Sequence, residues 1–303
     1  MLALIAGTGD LPRALVARLD QKPLICALDG FPPQITPEIT FRLEHLGSFL
    51  ADLKLRGVTH ICMAGAVKRP EIDPSAIDAA TIPLIPKVQA AMAKGDDGAL
   101  RVLISLLEDA GFAVVAAHEI APELLPEAGI LTKATPADWH KQDAVAGEAC
   151  LVQMGAADSG QACIVRLGQV EAREGPDGTD AMLATFCEPI MRRPFPADPF
   201  SFVIDTASDL VSDAADWLSG DDGGTPDPTT ADDGILFKAP KPDQDRRADL
   251  PLIGTGTAMK AAEAGLAGIV IEAGGVMVLD LPGVISTLDA QGMFLWVRPK
   301  GGA

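Results

Sequence analysis

Leu2-Ala-Leu-Ile-Ala-Gly-Thr-Gly-Asp-Leu-Pro12 opens the chain with a short apolar run, a Gly-rich turn and the start of a helical pattern. A run this short suits a strand buried on both faces rather than a helix. Residues 11–19 then place apolar side chains at helical spacing, and Pro12 is compatible with a first helical turn. Strand, tight turn and helix in that order begin a parallel βαβ unit. A Gly-rich strand-to-helix turn lets backbone amides approach a phosphate, which makes Gly7 and Gly9 candidate substrate-binding residues. The full GxGxxG is absent because Pro12 occupies its last position, and a plain tight turn explains the same residues.

Working outward, residues 23–28 and 58–64 form further short apolar runs, with an amphipathic helix at 46–55 between them. Helices are expected at 85–92 and 98–109 and a fourth strand at 112–116. Alternating strands and helices predict a Rossmann-like parallel sheet covered on both faces, with right-handed crossovers. The periodicity breaks at 122–129, so a domain boundary is drawn there: 1–128 N-terminal, 129–303 C-terminal. The second domain reads as mixed α/β. Helices are expected at 138–154, 179–186 and 205–218, from Thr257 to Leu266, and at 284–289. Strands are expected at 162–170, 235–238, 268–272, 276–281 and 293–297. Residues 219–233, rich in Gly, Pro, Asp and Thr, are expected to be mobile.

The chain has 303 residues, 48% of them hydrophobic, enough for about two domains of roughly 100–200 residues each. The net charge of −18 argues against nucleic acid as a partner and against attachment to anionic lipid by charge alone. Part of the excess is local, since residues 205–233 hold nine Asp and no Lys or Arg. Five cysteines without a CxxC pair fit a reducing compartment. No signal peptide is recognised, and no apolar run reaches the roughly 18 residues a membrane span needs, so a cytoplasmic protein is expected.

The chemistry concentrates in Lys238-Ala-Pro-Lys-Pro-Asp-Gln-Asp-Arg-Arg-Ala-Asp249. Lys238, Lys241, Arg246 and Arg247 interleave there with Asp243, Asp245 and Asp249 in an otherwise acidic protein. Cations neutralise phosphate oxygens, and carboxylates hold Mg²⁺ or its bound water. On charge alone, a solvated, salt-bridged loop is the alternative. In Glu174-Gly-Pro-Asp-Gly-Thr-Asp180, Thr179 or Asp180 either caps the following helix, leaving amides for an anion, or Asp180 ligates a metal. Lys94-Gly-Asp-Asp97 reads as a helix entry or a nucleotide or metal site, and Lys68-Arg69 as phosphate ligands or a surface pair. His45, His60, His118 and His140 show no metal-binding spacing; His118 is a structural histidine or part of a cleft. No GxSxG or P-loop occurs.

Taken in order, these motifs resemble the UDP-2,3-diacylglucosamine pyrophosphatase family of lipid A biosynthesis. The matching pieces include Ile5-Ala-Gly-Thr-Gly9, Ala64-Gly65 with Arg69-Pro70, Lys94-Gly-Asp-Asp97 and His118-Glu119. Gly178-Thr-Asp-Ala-Met-Leu183, Lys238-Ala-Pro-Lys-Pro242, Gln244-Asp245, Asp249-Leu-Pro251, Ile253-Gly254, Ala264-Gly-Leu-Ala-Gly-Ile269 and Glu272-Ala-Gly274 complete a set spanning nearly the whole chain. The resemblance implies two domains with the substrate between them, and Mg²⁺-dependent attack of water on the diphosphate of UDP-2,3-diacylglucosamine. The products would be UMP and 2,3-diacylglucosamine 1-phosphate. It carries over Asp249 as metal-binding or water-activating residue, with Asp245 as runner-up. Asp180 is a second metal ligand, and Lys238 and Lys241 are further catalytic candidates. Gly7, Gly9, Arg69, Thr179, Gln244 and Arg247 are the substrate-binding candidates. A homodimer and peripheral contact with the inner membrane are expected at the same level. The stretch from Met191 to Gly234 departs from the family by its length and acidity. It is open to reading as a lid, a membrane-facing element or an inert insertion, with Phe200, Phe202, Val203, Leu210, Val211 and Trp217 available to acyl chains. A non-catalytic sugar-nucleotide binding protein is the alternative, and a Rossmann oxidoreductase a third.

Overall fold

The first strand, β1 (Leu2–Ala6), is apolar on both faces because both are covered: Ala3 joins one core cluster, Leu4 and Ala6 another. In the computed structural model, which describes residues 1–67, 70–92, 96–187, 234–242 and 244–301, it is the centre of a five-stranded parallel sheet. The others are β2 (Leu24–Leu28), β3 (Ile39–Phe41), β4 (His60–Ala64) and β5 (Ala113–Val114), in the order β3-β2-β1-β4-β5. Helices α1 (Leu11–Val16), α2 (Leu46–Leu55), α3 (Ile85–Met92) and α4 (Asp96–Asp109) connect them, and α5 (Ala117–Ile120) follows β5. The strand order reverses between β1 and β4. Loops leaving those two strands diverge, and the crevice at their C-terminal ends is where open α/β sheets bind ligands.

The second half is built on a six-stranded mixed sheet, ordered β6-β13-β11-β9-β7-β8. Its strands are β6 (Gly129–Ile130), β7 (Ala162–Arg166), β8 (Gln169–Arg173), β9 (Gly234–Lys238), β11 (Leu266–Glu272) and β13 (Phe294–Arg298). A short parallel pair, β10 (Leu252–Ile253) with β12 (Met277–Val278), lies apart. Helix α6 (Asp138–Ala156) covers one face of the sheet; α7 (Thr179–Cys187), α8 (Thr255–Glu263) and α9 (Leu281–Ala290) accompany the other. The α6–β9 contact is close: a Cβ on Gly147 would come 2.6 Å from the Phe237 ring. That fit seats β9, whose last residue is Lys238.

Met277, Leu250, Leu252 and Leu279 pack with Leu4, Leu11 and Leu15, so one apolar cluster spans both halves. An ion pair from Arg247 to Glu108 on α4 (2.6 Å) also crosses between them. Among the described residues no helix is long and apolar enough to cross a membrane.

Several elements differ from the sequence expectation. The single strand expected over 162–170 is a hairpin, β7–β8, turning at Leu167 (φ 49°) and Gly168 (φ 73°). Two consecutive left-handed residues make the turn that matches strand twist. A tertiary contact supports it, since the Gly168 amide donates to Asp143 Oδ1 at 2.5 Å, and Asp143 is fully buried on α6. The helix expected to start at Thr257 begins at Thr255, with Gly254 as N-cap, and ends at Glu263. The strand expected over 276–281 covers only Met277–Val278, because Asp280 takes a left-handed conformation and caps α9, its Oδ1 accepting from the Gly283 amide at 3.2 Å. The helix at 11–19 stops at Val16. The expected helix at 205–218 and the mobile segment at 219–233 lie outside the described residues.

Candidate active site in the cleft between the halves

Three segments of the N-terminal half reach the crevice: Thr8 to Leu11 after β1 with Arg13, Ala14, Ala17 and Arg18 that follow it, Met63 to Ala66 at the end of β4, and Ala117-His118 after β5. The first two are locked together. Thr8 and Ala66 exchange backbone hydrogen bonds at 2.9 Å, and the Thr8 hydroxyl donates to the Ala66 carbonyl at 3.1 Å. At Gly7 a Cβ would sit 2.5 Å from that carbonyl oxygen, so this glycine serves the crossing of two backbones. Gly9 differs: its φ is +94° and nothing lies within 4 Å of a Cβ built there, on the cleft wall. Glu119 accepts the Ala116 amide at 2.7 Å and fixes the turn carrying His118, whose Nδ1 is buried with no hydrogen-bond partner among the described residues.

The C-terminal half supplies the facing wall, closing a cleft of about 1070 Å³. Lys238 lies on it, only 6% exposed. Its Nζ donates to Thr179 Oγ1 at 2.7 Å, and Thr179 donates to Glu174 Oε1 at 3.0 Å. Glu174 Oε2 accepts the Gln161 amide at 2.8 Å. Burial pushes the Lys238 ammonium down in pKa, while the charges of Glu174, Asp180 and Asp249 act in the opposite sense. Asp249 accepts a hydrogen bond from Gln244 Nε2, which also donates to Gln161 Oε1 at 3.1 Å. Gln161 thus links the Asp249 side of the wall to the Glu174–Lys238 side. Asp180 pairs with Lys260 of α8 at 2.5 Å.

Acids outnumber cations in the lining of the cleft as a whole. Asp10, Glu174, Asp177, Asp180, Asp249 and Asp280 face Arg13, Arg18, Lys238, Arg246 and Arg247. An anion entering such a lining is poorly neutralised by protein cations alone.

The structure separates the sequence candidates by place. Gly9, Thr179, Asp180, Lys238, Arg247 and Asp249 line the cleft. Lys241 instead pairs with Asp158 at 2.6 Å, Gln244 supports Asp249 from behind, and Asp245 is gripped by Arg247 at 2.8 and 3.0 Å. That grip holds the Asp245 carboxyl below its ordinary pKa. Arg69 and Asp243 lie outside the described residues. Neither Glu174, which opens the Glu174–Asp180 motif, nor Gln161, which no local pattern marks, is a site candidate in the sequence. Their positions depend on the β7–β8 hairpin, where the residue pattern alone predicts one strand.

Asp249 and Asp180 offer only oxygen, the donor type Mg²⁺ takes, and Mg²⁺ is commonly bound through one or two carboxylates with substrate phosphates completing its shell. Two carboxylates beside a buried cation fit that mode.

The sequence matches the LpxI N-terminal domain over residues 1–124 and the LpxI C-terminal domain over residues 127–296. The UDP-2,3-diacylglucosamine pyrophosphatase LpxI of Caulobacter vibrioides is 33% identical to it over 306 residues, covering 99% of this chain and 98% of that protein. The chain belongs to the LpxI family.

Proposed function

We propose that this protein hydrolyses the diphosphate of UDP-2,3-diacylglucosamine, releasing UMP and 2,3-diacylglucosamine 1-phosphate, with Mg²⁺ as cofactor. Membership of the family and the activity named for the Caulobacter relative support the substrate. The observation that carries the chemistry is Lys238, a cation buried on the wall of a large interdomain cleft with three carboxylates acting on it. A buried ammonium beside carboxylates suits a phosphate anhydride accompanied by a divalent ion.

In this reading Lys238, itself buried, donates to a non-bridging phosphate oxygen, where its charge acts at close range. Arg246, 45% exposed and tied to Glu272 at 3.3 Å, is a second cation on the wall. Asp249, oriented by Gln244, and Asp180 would hold the metal, which when bound supplies charge neutralisation at the attacked phosphoryl group. A new bond forms from water oxygen to phosphorus, that water gives up a proton to solvent, the anhydride P–O bond breaks, and the departing phosphate keeps its electron pair. The substrate carries two acyl chains, so the enzyme is expected to meet it at the inner-membrane surface, and we expect a homodimer.

Running the reaction in ¹⁸O-labelled water tests this. One heavy oxygen in either UMP or the sugar phosphate supports hydrolysis and identifies the attacked phosphorus. Tight binding of the sugar nucleotide with neither product formed would favour the binding-protein alternative.

A further inference from the structure

The Glu174–Thr179–Lys238 chain has a direction that its chemistry dictates. An ammonium group has N–H donors and no acceptor, so at 2.7 Å the Thr179 oxygen accepts from Lys238. A hydroxyl has one proton, and that of Thr179 goes to Glu174 Oε1 at 3.0 Å. Glu174 Oε2 already accepts the Gln161 amide at 2.8 Å, so both carboxyl oxygens act as acceptors. All three side chains are buried, between 6% and 9% exposed, and all three line the cleft.

A purely structural buried lysine is expected in a direct ion pair, which satisfies its charge inside the fold. Lys238 has Thr179 as its one hydrogen-bond partner among the described residues. Its two remaining donors are left for a ligand. Glu174 itself is anchored well. Its amide donates to the Ala162 carbonyl at 2.9 Å, and Gly160 packs against its backbone so closely that a Cβ there would come 2.5 Å from the Glu174 oxygen.

We propose that Glu174 is a positioning residue, which acts through the Thr179 hydroxyl to hold the Lys238 ammonium where it meets the substrate's diphosphate. The inference rests on the hydrolase reading above and gives a role to a residue outside the catalytic and binding set that the resemblance carries over. A glutamine at position 174 cannot replace the carboxylate, because it offers one acceptor oxygen where two donors converge. A valine at 179 keeps the volume and breaks the relay.

A double-mutant cycle tests this, with UMP release from UDP-2,3-diacylglucosamine, UDP affinity by calorimetry and melting temperature measured on each full-length variant. Glu174→Gln and Thr179→Val are each expected to slow turnover about tenfold, within the coupling range of contacting residues. Thr179→Ser, which retains the hydroxyl, recovers most of the rate. In a Lys238→Met background, Glu174→Gln is expected to cost less than about twofold, because the group it acts on is gone. An equal loss in both backgrounds, or full activity of Thr179→Val, would overturn the proposal. If Glu174→Gln melts near the assay temperature, the Thr179→Val and Thr179→Ser pair decides. The two readings fail separately. Wild-type protein that binds UDP without releasing UMP refutes the hydrolase, and the same cycle read by UDP affinity still decides the relay. Wild-type protein that neither binds UDP nor turns over refutes both.

Discussion

Gly7→Ala should destabilise the protein measurably although it adds one methyl group. The new Cβ would lie 2.5 Å from the Ala66 carbonyl oxygen and 2.9 Å from the carbonyl carbons of Ala66 and Gly65. All three are backbone atoms, so no flexible side chain can give way. The two turns would have to part, and the parting strains four hydrogen bonds. These are Gly7 to Ala64 at 2.8 Å, the reciprocal Thr8–Ala66 pair at 2.9 Å, and the Thr8 hydroxyl bond at 3.1 Å. Overpacking of this kind costs about 1–3 kcal/mol, and weakening one of the hydrogen bonds adds about 1 kcal/mol. We expect about 2–4 kcal/mol in urea unfolding followed by circular dichroism. Gly9→Ala is the control. It meets nothing within 4 Å, and its cost is the left-handed backbone at φ +94°, about 1–2 kcal/mol. Gly7→Ala should therefore unfold at the lower urea concentration, and Gly9→Ala, at the cleft, should change KM more. A Gly7→Ala protein within about 0.5 kcal/mol of wild type would refute the close crossing of β1 and β4 on which the cleft geometry rests.

Asp249→Ala should abolish turnover with the melting temperature nearly kept, whereas Asp245→Ala, which removes the grip on Arg247, should lose stability before activity; melting curves beside UMP assays separate the two. Glu44 is buried, takes a two-point contact from Arg42 (2.9 and 3.2 Å) and the Asp73 amide (2.9 Å), and has its pKa pushed down to about 2. Its contribution to stability is present above the unfolded value near 4.3 and fades as pH falls through about 2. Glu44→Gln should therefore melt well below wild type at pH 7, and the gap should narrow steadily below pH 4; a gap independent of pH would show that the carboxylate charge is not what matters.

The N-terminal sheet was legible because its strands are short apolar runs with both faces covered, and their alternation with helices points to a parallel sheet. β3 escaped because Ile39–Phe41 follows a proline-rich stretch, at the sheet edge and only three residues long. β6 and β10 are two-residue pairings whose existence depends on their partners, Val297 and Trp296 for one and Met277 and Val278 for the other. In the site, the charged run around Lys238 stood out in composition, yet composition cannot say which charges face the cleft. Lys241 is taken up by Asp158, 83 residues earlier, and is off the lining, whereas Arg247 stays on it although paired with Glu108, 139 residues earlier. Gln161 carries no local signal, and Glu174 opens the Glu174–Asp180 motif without anything in it that marks the carboxylate as part of the site. Their roles come from a hairpin whose turn is held by Asp143 on another element.

The most direct test of the account is UMP release by purified protein given UDP-2,3-diacylglucosamine and Mg²⁺, with and without EDTA. We predict UMP release that EDTA stops and added Mg²⁺ restores. Folded protein that releases no UMP with Mg²⁺ present would contradict the hydrolase reading, and release unaffected by EDTA would contradict the role given to Mg²⁺ at Asp249 and Asp180.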